Sequence, residues 1–190
     1  RRNAHAEHED QTEDVRDRVG EAEEVMGLAG VKAGMSVADV GAGGGYYTIR
    51  LARIVGAKGR VLAEDIVPDT RDRLMDRVQR ESLDNVAVKL GAPDNPMLPD
   101  ASFDRVSLVH MYHEVASPYA FLWHMREGVK PGGLVVVVDA NRTATASTAG
   151  IRRTTKSGRM SMKLRGPNDH PAHHFQPAFE IISQWATTMT

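Results

Sequence analysis

Apolar residues recur at helical spacing over Val15, Val19, Ala22, Val25, Met26 and Ala29, and Thr12 is placed to cap them, so the pattern predicts one amphipathic helix over 12–29. Gly30 and Gly34 frame a turn, after which Ser36-Val37-Ala38-Asp39-Val40 reads as a short apolar strand running into Gly41-Ala42-Gly43-Gly44-Gly45. A helix is expected over 47–55, with Ile49, Leu51, Ala52 and Ile54 available for packing and Gly56 as its stop. Then come a buried strand over 60–66, a charged helix over 69–81 with Leu74, Met75 and Val78 on one face, and a strand over 86–90. A Pro-rich loop from Gly91 to Asp100 leads to a strand over 103–109 and a helix over 118–129. Pro131-Gly132-Gly133 reads as a tight turn before 134–139, the most continuous β-branched run in the chain.

Strands that alternate with helices in this way, each crossover long enough for a right-handed βαβ unit, predict an α/β fold. The form expected is a doubly wound, Rossmann-like, mostly parallel sheet in a single domain. Residues 1–140 would form the core with its acidic N-terminal helix. Residues 141–190 are rich in Thr, Ser, Arg and His, with one short apolar group at Phe179-Glu180-Ile181-Ile182. No pair of strands separated by a turn is legible there. Ligands of such sheets bind at the carboxyl ends of the strands, where strand order reverses.

Composition narrows the function classes. A chain of 190 residues with net charge −1 is long enough to bury one core, and the absence of cysteine removes disulfides, thiolate metal sites and cysteine nucleophiles. No apolar run approaches the ~20 residues of a membrane span, and no basic-then-apolar leader opens the chain. The expected localisation is cytoplasmic, and the lack of an initial Met fits a shortened or processed N-terminus. The acidic first two dozen residues and the basic stretch from Arg152 to Arg165 read as solvated charge, with little aromatic interleaving, so no nucleic-acid partner is expected. His5 with His8, and His170 with His173 and His174, have spacings open to a metal but no acidic or cysteine partner beside them, so no metal site is expected.

The glycine loop carries the chemistry. Gly41, Gly43 and Gly45 allow a ligand close to the backbone at a helix start. A dinucleotide fingerprint needs its third glycine where Tyr46 stands, and Asp39 two residues before the loop would repel a pyrophosphate. Asp39 suits a ligand with an ammonium group instead. Asp65 ends the second strand, where a carboxylate can accept both ribose hydroxyls of a nucleoside, and strand alternation sends Glu64 to the opposite face.

Val37 to Thr48 resembles motif I of class I S-adenosylmethionine-dependent methyltransferases, and Leu62-Ala63-Glu64-Asp65-Ile66 resembles their acidic motif after the second strand. Leu98 to Asp104 and Val129-Lys130-Pro131-Gly132-Gly133 are similar to two further family stretches, in the same order. The resemblance spans roughly 25–140 and is nearest to small-molecule methyltransferases of the quinone-biosynthesis type. It implies S-adenosyl-L-methionine as cofactor, with Asp39 facing the methionine ammonium. Gly41, Ala42, Gly43, Gly45 and Tyr47 would be around the methionine and ribose, Asp65 on the ribose hydroxyls, Ile66 against the adenine and Asp94 near its amine. The usual Gly-Asp pair at the adenine is Gly91-Ala92 here.

Methyl transfer from a sulfonium needs alignment and, for some acceptors, removal of a proton. His110-Met111-Tyr112-His113-Glu114 follows the fourth strand, where the methyl group should emerge. His113 is the candidate general base, with Tyr112 and His110 beside it, because an imidazole titrates near neutrality. The segment lacks the Asn-Pro-Pro-Tyr type of clamp of nucleic-acid amino methyltransferases, so the acceptor expected is a small molecule. The alternative is a non-catalytic domain that binds the cofactor or its product as a regulator or scaffold. An exposed sheet edge would leave room for a second copy of the chain as a homodimer partner.

Overall fold

The computed structural model describes residues 13–139 and the backbone of two later strands. In chain order the elements are helical residues 13–18 (α1), α2 (Glu21–Leu28), β1 (Ser36–Val40), α3 (Tyr46–Val55), β2 (Arg60–Asp65), α4 (Pro68–Arg80) and β3 (Val86–Leu90). They continue with β4 (Phe103–Val109), a 3-10 turn (Tyr112–Glu114), α5 (Pro118–Glu127), β5 (Val129–Val138), β6 (Arg159–Met162) and β7 (Ala178–Ile182). All strands share one sheet in the order β3-β2-β1-β4-β5-β7-β6. The first five run parallel, β7 lies parallel to β5, and β6 is antiparallel to β7. The expected doubly wound, mostly parallel sheet is present.

β1 is the strand where the winding reverses: Ala38 pairs with Leu62 of β2 on one side and with Val106 of β4 on the other. β1 is enclosed on both faces, which is why, Asp39 apart, it reads as an apolar run rather than an alternation. One face carries Val37 and Val61 against Leu51 and Val55 of α3 and Ala22, Val25 and Met26 of α2. The other carries Ala38, Val40, Val106 and Val135 against Phe121, Leu122 and Met125 of α5. The period of two sends Asp39 and Asp65 to the α3 side and Glu64 to the other.

Four local expectations are corrected. The single N-terminal helix is two, because Gly20 adopts a left-handed φ of 69° that a Cβ would disfavour. Val15 and Val19 are consequently exposed, while Ala22, Val25, Met26 and Ala29 stay in the core. Pro131-Gly132-Gly133 is no turn before a strand but a bulge inside β5, whose pairing with β4 jumps from Phe103↔Val129 to Arg105↔Leu134. Met75 and Ile54 are exposed, leaving Leu74 and Val78 as the buried residues of α4 and Ile49, Leu51 and Ala52 in the core from α3. Finally, the stretch after 140 contributes the two strands β6 and β7, whose backbones lengthen the sheet beyond β5. No helix among the described residues is long and apolar enough to cross a membrane.

Candidate functional site

At the carboxyl ends of β1 and β4 lies a cleft of about 250 Å³, walled by Asp39, loop residues 41–44, Tyr46, Tyr47 and His110 and covered by Glu13 and Arg16 of α1. A larger groove of about 610 Å³ lies at the opposite end of β2 and β3, beside Gly59 and Asn85. Open α/β sheets bind ligands at the carboxyl ends, so the smaller cleft is the candidate site.

Asp39 is buried in this wall and accepts a 2.7 Å hydrogen bond from the Thr48 hydroxyl. Burial pushes its carboxyl up to about 6, against the opposing hydrogen bonds from Thr48 and Ser107. The three loop glycines do different work. A Cβ on Gly41 would stand 2.6 Å from Met111 Cγ, and one on Gly45 would stand 2.4 Å from Leu74 Cδ1, so both serve close packing. Gly43 has nothing within 4 Å and faces the open cleft.

Asp65 is buried and accepts the Gly43 N–H at 3.0 Å and the Val67 N–H at 2.9 Å. Glu64 is buried on the opposite face, where burial pushes its carboxyl up to about 7, opposed by the Gly41 N–H and helped by the neighbouring Asp65 charge. Its Oε1 has no hydrogen-bond partner among the described residues. A glycine loop whose Gly43 N–H is already taken by a carboxylate, with Asp39, Glu64 and Asp65 around it, repels phosphate and favours a cationic ligand. Ile66 is exposed just beyond, and Asp94 lies exposed in a loop tightened by reciprocal Ala92–Asn95 backbone bonds.

The segment after β4 divides its candidates. His110, at a positive φ of 56°, enters the cleft, and its Nε2 lies 3.0 Å from Glu21 Oε1. Tyr112 is half-buried on the α5 side, where desolvation raises its phenol pKa. His113 is more exposed; Asp139 at the end of β5 accepts both its backbone N–H at 2.8 Å and its Nδ1 at 2.9 Å. Among the described residues no group of three His, Asp or Glu is arranged to hold a metal. The five tail and leader histidines lie outside the described residues.

Reading the acidic N-terminus as solvated charge misses three participants: Glu13, Arg16 and Glu21. Glu21 is buried, and its Oε1 receives Arg16, the Tyr47 hydroxyl at 2.8 Å and His110. Burial raises its carboxyl, but hydrogen bonds from His110, Arg16 and Tyr47 outweigh that and hold it down at about 2. Glu13 pairs with Arg77, which also donates to the Gly44 carbonyl at 2.7 Å. The signal for Glu21 was its place one helical turn before Val25, on the apolar face of α2.

The protein is 30% identical over 118 residues to the ubiquinone/menaquinone biosynthesis C-methyltransferase UbiE of Hahella chejuensis, covering 60% of this chain and 46% of the relative. It is 27% identical to the protein-L-isoaspartate O-methyltransferase of Methanothrix thermoacetophila, over 58% of this chain and 50% of the relative. The chain thus spans about half the length of the curated relatives it matches. Among solved structures, a SAM-dependent methyltransferase from Aquifex aeolicus superposes with a TM-score of 0.56 at 34% identity, covering 58% of each chain. A family model described as a methyltransferase domain matches residues 37–133, half of the chain, running from β1 and its acidic glycine loop to the bulge of β5, and the protein belongs to that methyltransferase domain family.

Proposed function

We propose that the cleft binds S-adenosylmethionine and that the protein transfers its methyl group to a small-molecule acceptor. The observation that carries this reading is the glycine loop flanked by buried carboxylates, with Asp39 in the cleft wall and Asp65 fixed at the end of β2. Such a loop rejects a pyrophosphate and accepts an aminoacyl nucleoside bearing positive charge. Asp39 would meet the methionine ammonium beside Gly41, Ala42, Gly43 and Tyr47. Asp65 holds two backbone N–H groups, and its remaining lone pairs suit the ribose hydroxyls. Gly45 supports the loop through its packing on Leu74, Ile66 offers an apolar surface for the adenine, and Asp94 an acceptor for its amine.

The bound cofactor supplies an electrophilic methyl group for in-line displacement. The chain's part is to align the acceptor and take its proton. A carboxylate can only accept, so Asp139 holds His113 with the proton on Nδ1 and leaves the Nε2 lone pair to act as base. His110 lines the cleft, and Tyr112 lies on the α5 side of the same segment. The names of the relatives suggest a quinol-type ring as acceptor. The segment after β4 lacks the amine clamp of base methyltransferases, which supports a small molecule over a nucleic acid.

Calorimetric titration with S-adenosylmethionine, S-adenosylhomocysteine and NAD tests the reading. Binding of the first two and silence with NAD is the expected result. Clear NAD binding without response to the others overturns it.

A further inference from the structure

Glu64 lies beside Asp65 at the end of β2 and has no part in the chemistry above. It is buried, its carboxyl accepts the Gly41 N–H, and its Oε1 has no hydrogen-bond partner among the described residues. That oxygen abuts the backbone of Gly91, where even a Cβ would collide with it. Gly91 opens the loop after β3, and Asp65 ties this loop to the cleft wall. The Asp65 carbonyl accepts the Gly91 N–H at 3.1 Å, and its carboxylate accepts the Gly43 N–H at 3.0 Å.

The loop is closed by few bonds. Ala92 and Asn95 exchange backbone bonds at 2.9 and 3.1 Å, and the Met97 N–H reaches Asn95 Oδ1 at 2.6 Å. Met97 holds a left-handed φ of 53° that its side chain disfavours. Lys89 is the register partner of Glu64 on β3, but its ammonium is engaged by the Met97 carbonyl. Pro96 and Leu98 are buried and pin the far end, so the part free to lift is 91–95.

A carboxyl walled in by backbone is tolerated while it is neutral; once ionised it needs water, which reaches Oε1 only if 91–95 moves off. Burial is the largest influence and holds the carboxyl up at about 7. The Gly41 N–H and Lys89 on β3 oppose this, while Asp65 beside it and Asp39 on β1 add to it.

We propose that Glu64 is a protonation-controlled catch on the 91–95 loop: with its proton the loop lies closed on the ends of β2 and β3, and without it the loop lifts and opens this edge of the cleft. The link to ligand entry rests on the cofactor reading above, which puts Asp94 of this loop beside the adenine. Because lifting returns the carboxyl from about 7 to its ordinary 4.5, the open fraction grows with pH, by about tenfold between pH 6 and pH 8.

Hydrogen exchange of the ligand-free protein, corrected for the base-catalysed rate, tests this at the Gly91 amide. The Val61 amide, bonded to the Asn85 carbonyl at the other end of β2, is the reference. Gly91 should be less protected than Val61 and should lose about tenfold in protection from pH 6 to pH 8, a change that stays within about twofold in Glu64→Gln. Gly91→Ala sets a methyl against Glu64, so the Ala92 amide should be less protected than in the wild type already at pH 6; this variant reads the catch if Glu64→Gln does not fold. Equal protection at Gly91 and Val61 means that the chain opens as a whole and overturns the catch, as does a pH slope that survives Glu64→Gln. Saturating S-adenosylhomocysteine should restore the protection at pH 8. Binding without that effect overturns the link to ligand entry, whereas failure to bind removes the cofactor reading and leaves the ligand-free exchange to decide the catch.

Discussion

Replacing Glu64 by Gln should stabilise the protein at pH 8 and destabilise it by about 1–2 kcal/mol near pH 4.5, where the native carboxyl is neutral. Glu64 is 1% exposed, its Oε1 is unpartnered, and it presses on Gly91, where even a Cβ would collide with it. Burial raises its carboxyl from 4.5 to about 7. The folded state therefore binds more protons than the unfolded state between those values, and stability from this group falls as pH rises through that window. At about 1.4 kcal/mol per pH unit, ionisation costs the native state about 3 kcal/mol once pH exceeds 7. Gln keeps the shape and removes the charge, but its amide leaves one buried polar atom unpartnered, which returns about 1–2 kcal/mol. A net gain of about 1–2 kcal/mol at pH 8 remains, equivalent to a rise of roughly 0.5–1 M in urea midpoint. Urea unfolding of both proteins at pH 4.5 and pH 8 reads the difference. A variant less stable than wild type at pH 8, or a gap of the same size at both pH values, refutes the assignment of an ionised, uncompensated Glu64.

Two other perturbations address the cleft. Asp39 has its carboxyl raised to about 6, and an ammonium ligand needs it ionised, so affinity for S-adenosylmethionine should fall as pH drops through 6, by about tenfold at pH 5. Asp39→Asn should bind weakly at every pH and lose that slope; a slope that survives the substitution assigns the titration elsewhere. Gly45→Ala places a Cβ 2.4 Å from Leu74 at a φ of 89°, and should cost about 2–4 kcal/mol in chemical unfolding, with a cost below ~0.5 kcal/mol showing that the loop and α4 can separate freely.

Much of this architecture is legible in the residues themselves. Val37 to Val40 apart from Asp39, Val61 to Ala63 and Leu134 to Val138 are apolar on both faces because both faces are covered, and this local record suffices to place a parallel sheet. Gly41 to Gly45 beside Asp39, with Asp65 at the next strand end, marks the cleft for the same reason: the loop geometry and charges sit within one βαβ unit. Harder to read was whatever depends on distant partners. The break at Gly20 looked like the middle of one helix, since periodicity carries across a single left-handed residue. β6 and β7 have too little apolar pattern to declare themselves, yet their backbones pair beyond β5.

What the sequence alone determined was the succession of β1 to β5 and the helices between them, the end of the sheet that holds the cleft, and the acidic character of its glycine loop. Only the tertiary structure decided what each charge does. It turned Glu21 from one acid in a solvated run into a buried acceptor for Arg16, Tyr47 and His110, and it brought Arg16 and Asp39 into the lining of one cleft. It also gave Asp139 the task of holding His113. Hydrophobic periodicity is written along a few consecutive residues, whereas the partner of a charge is chosen by which element folds back over it, and burial then fixes how much that choice matters.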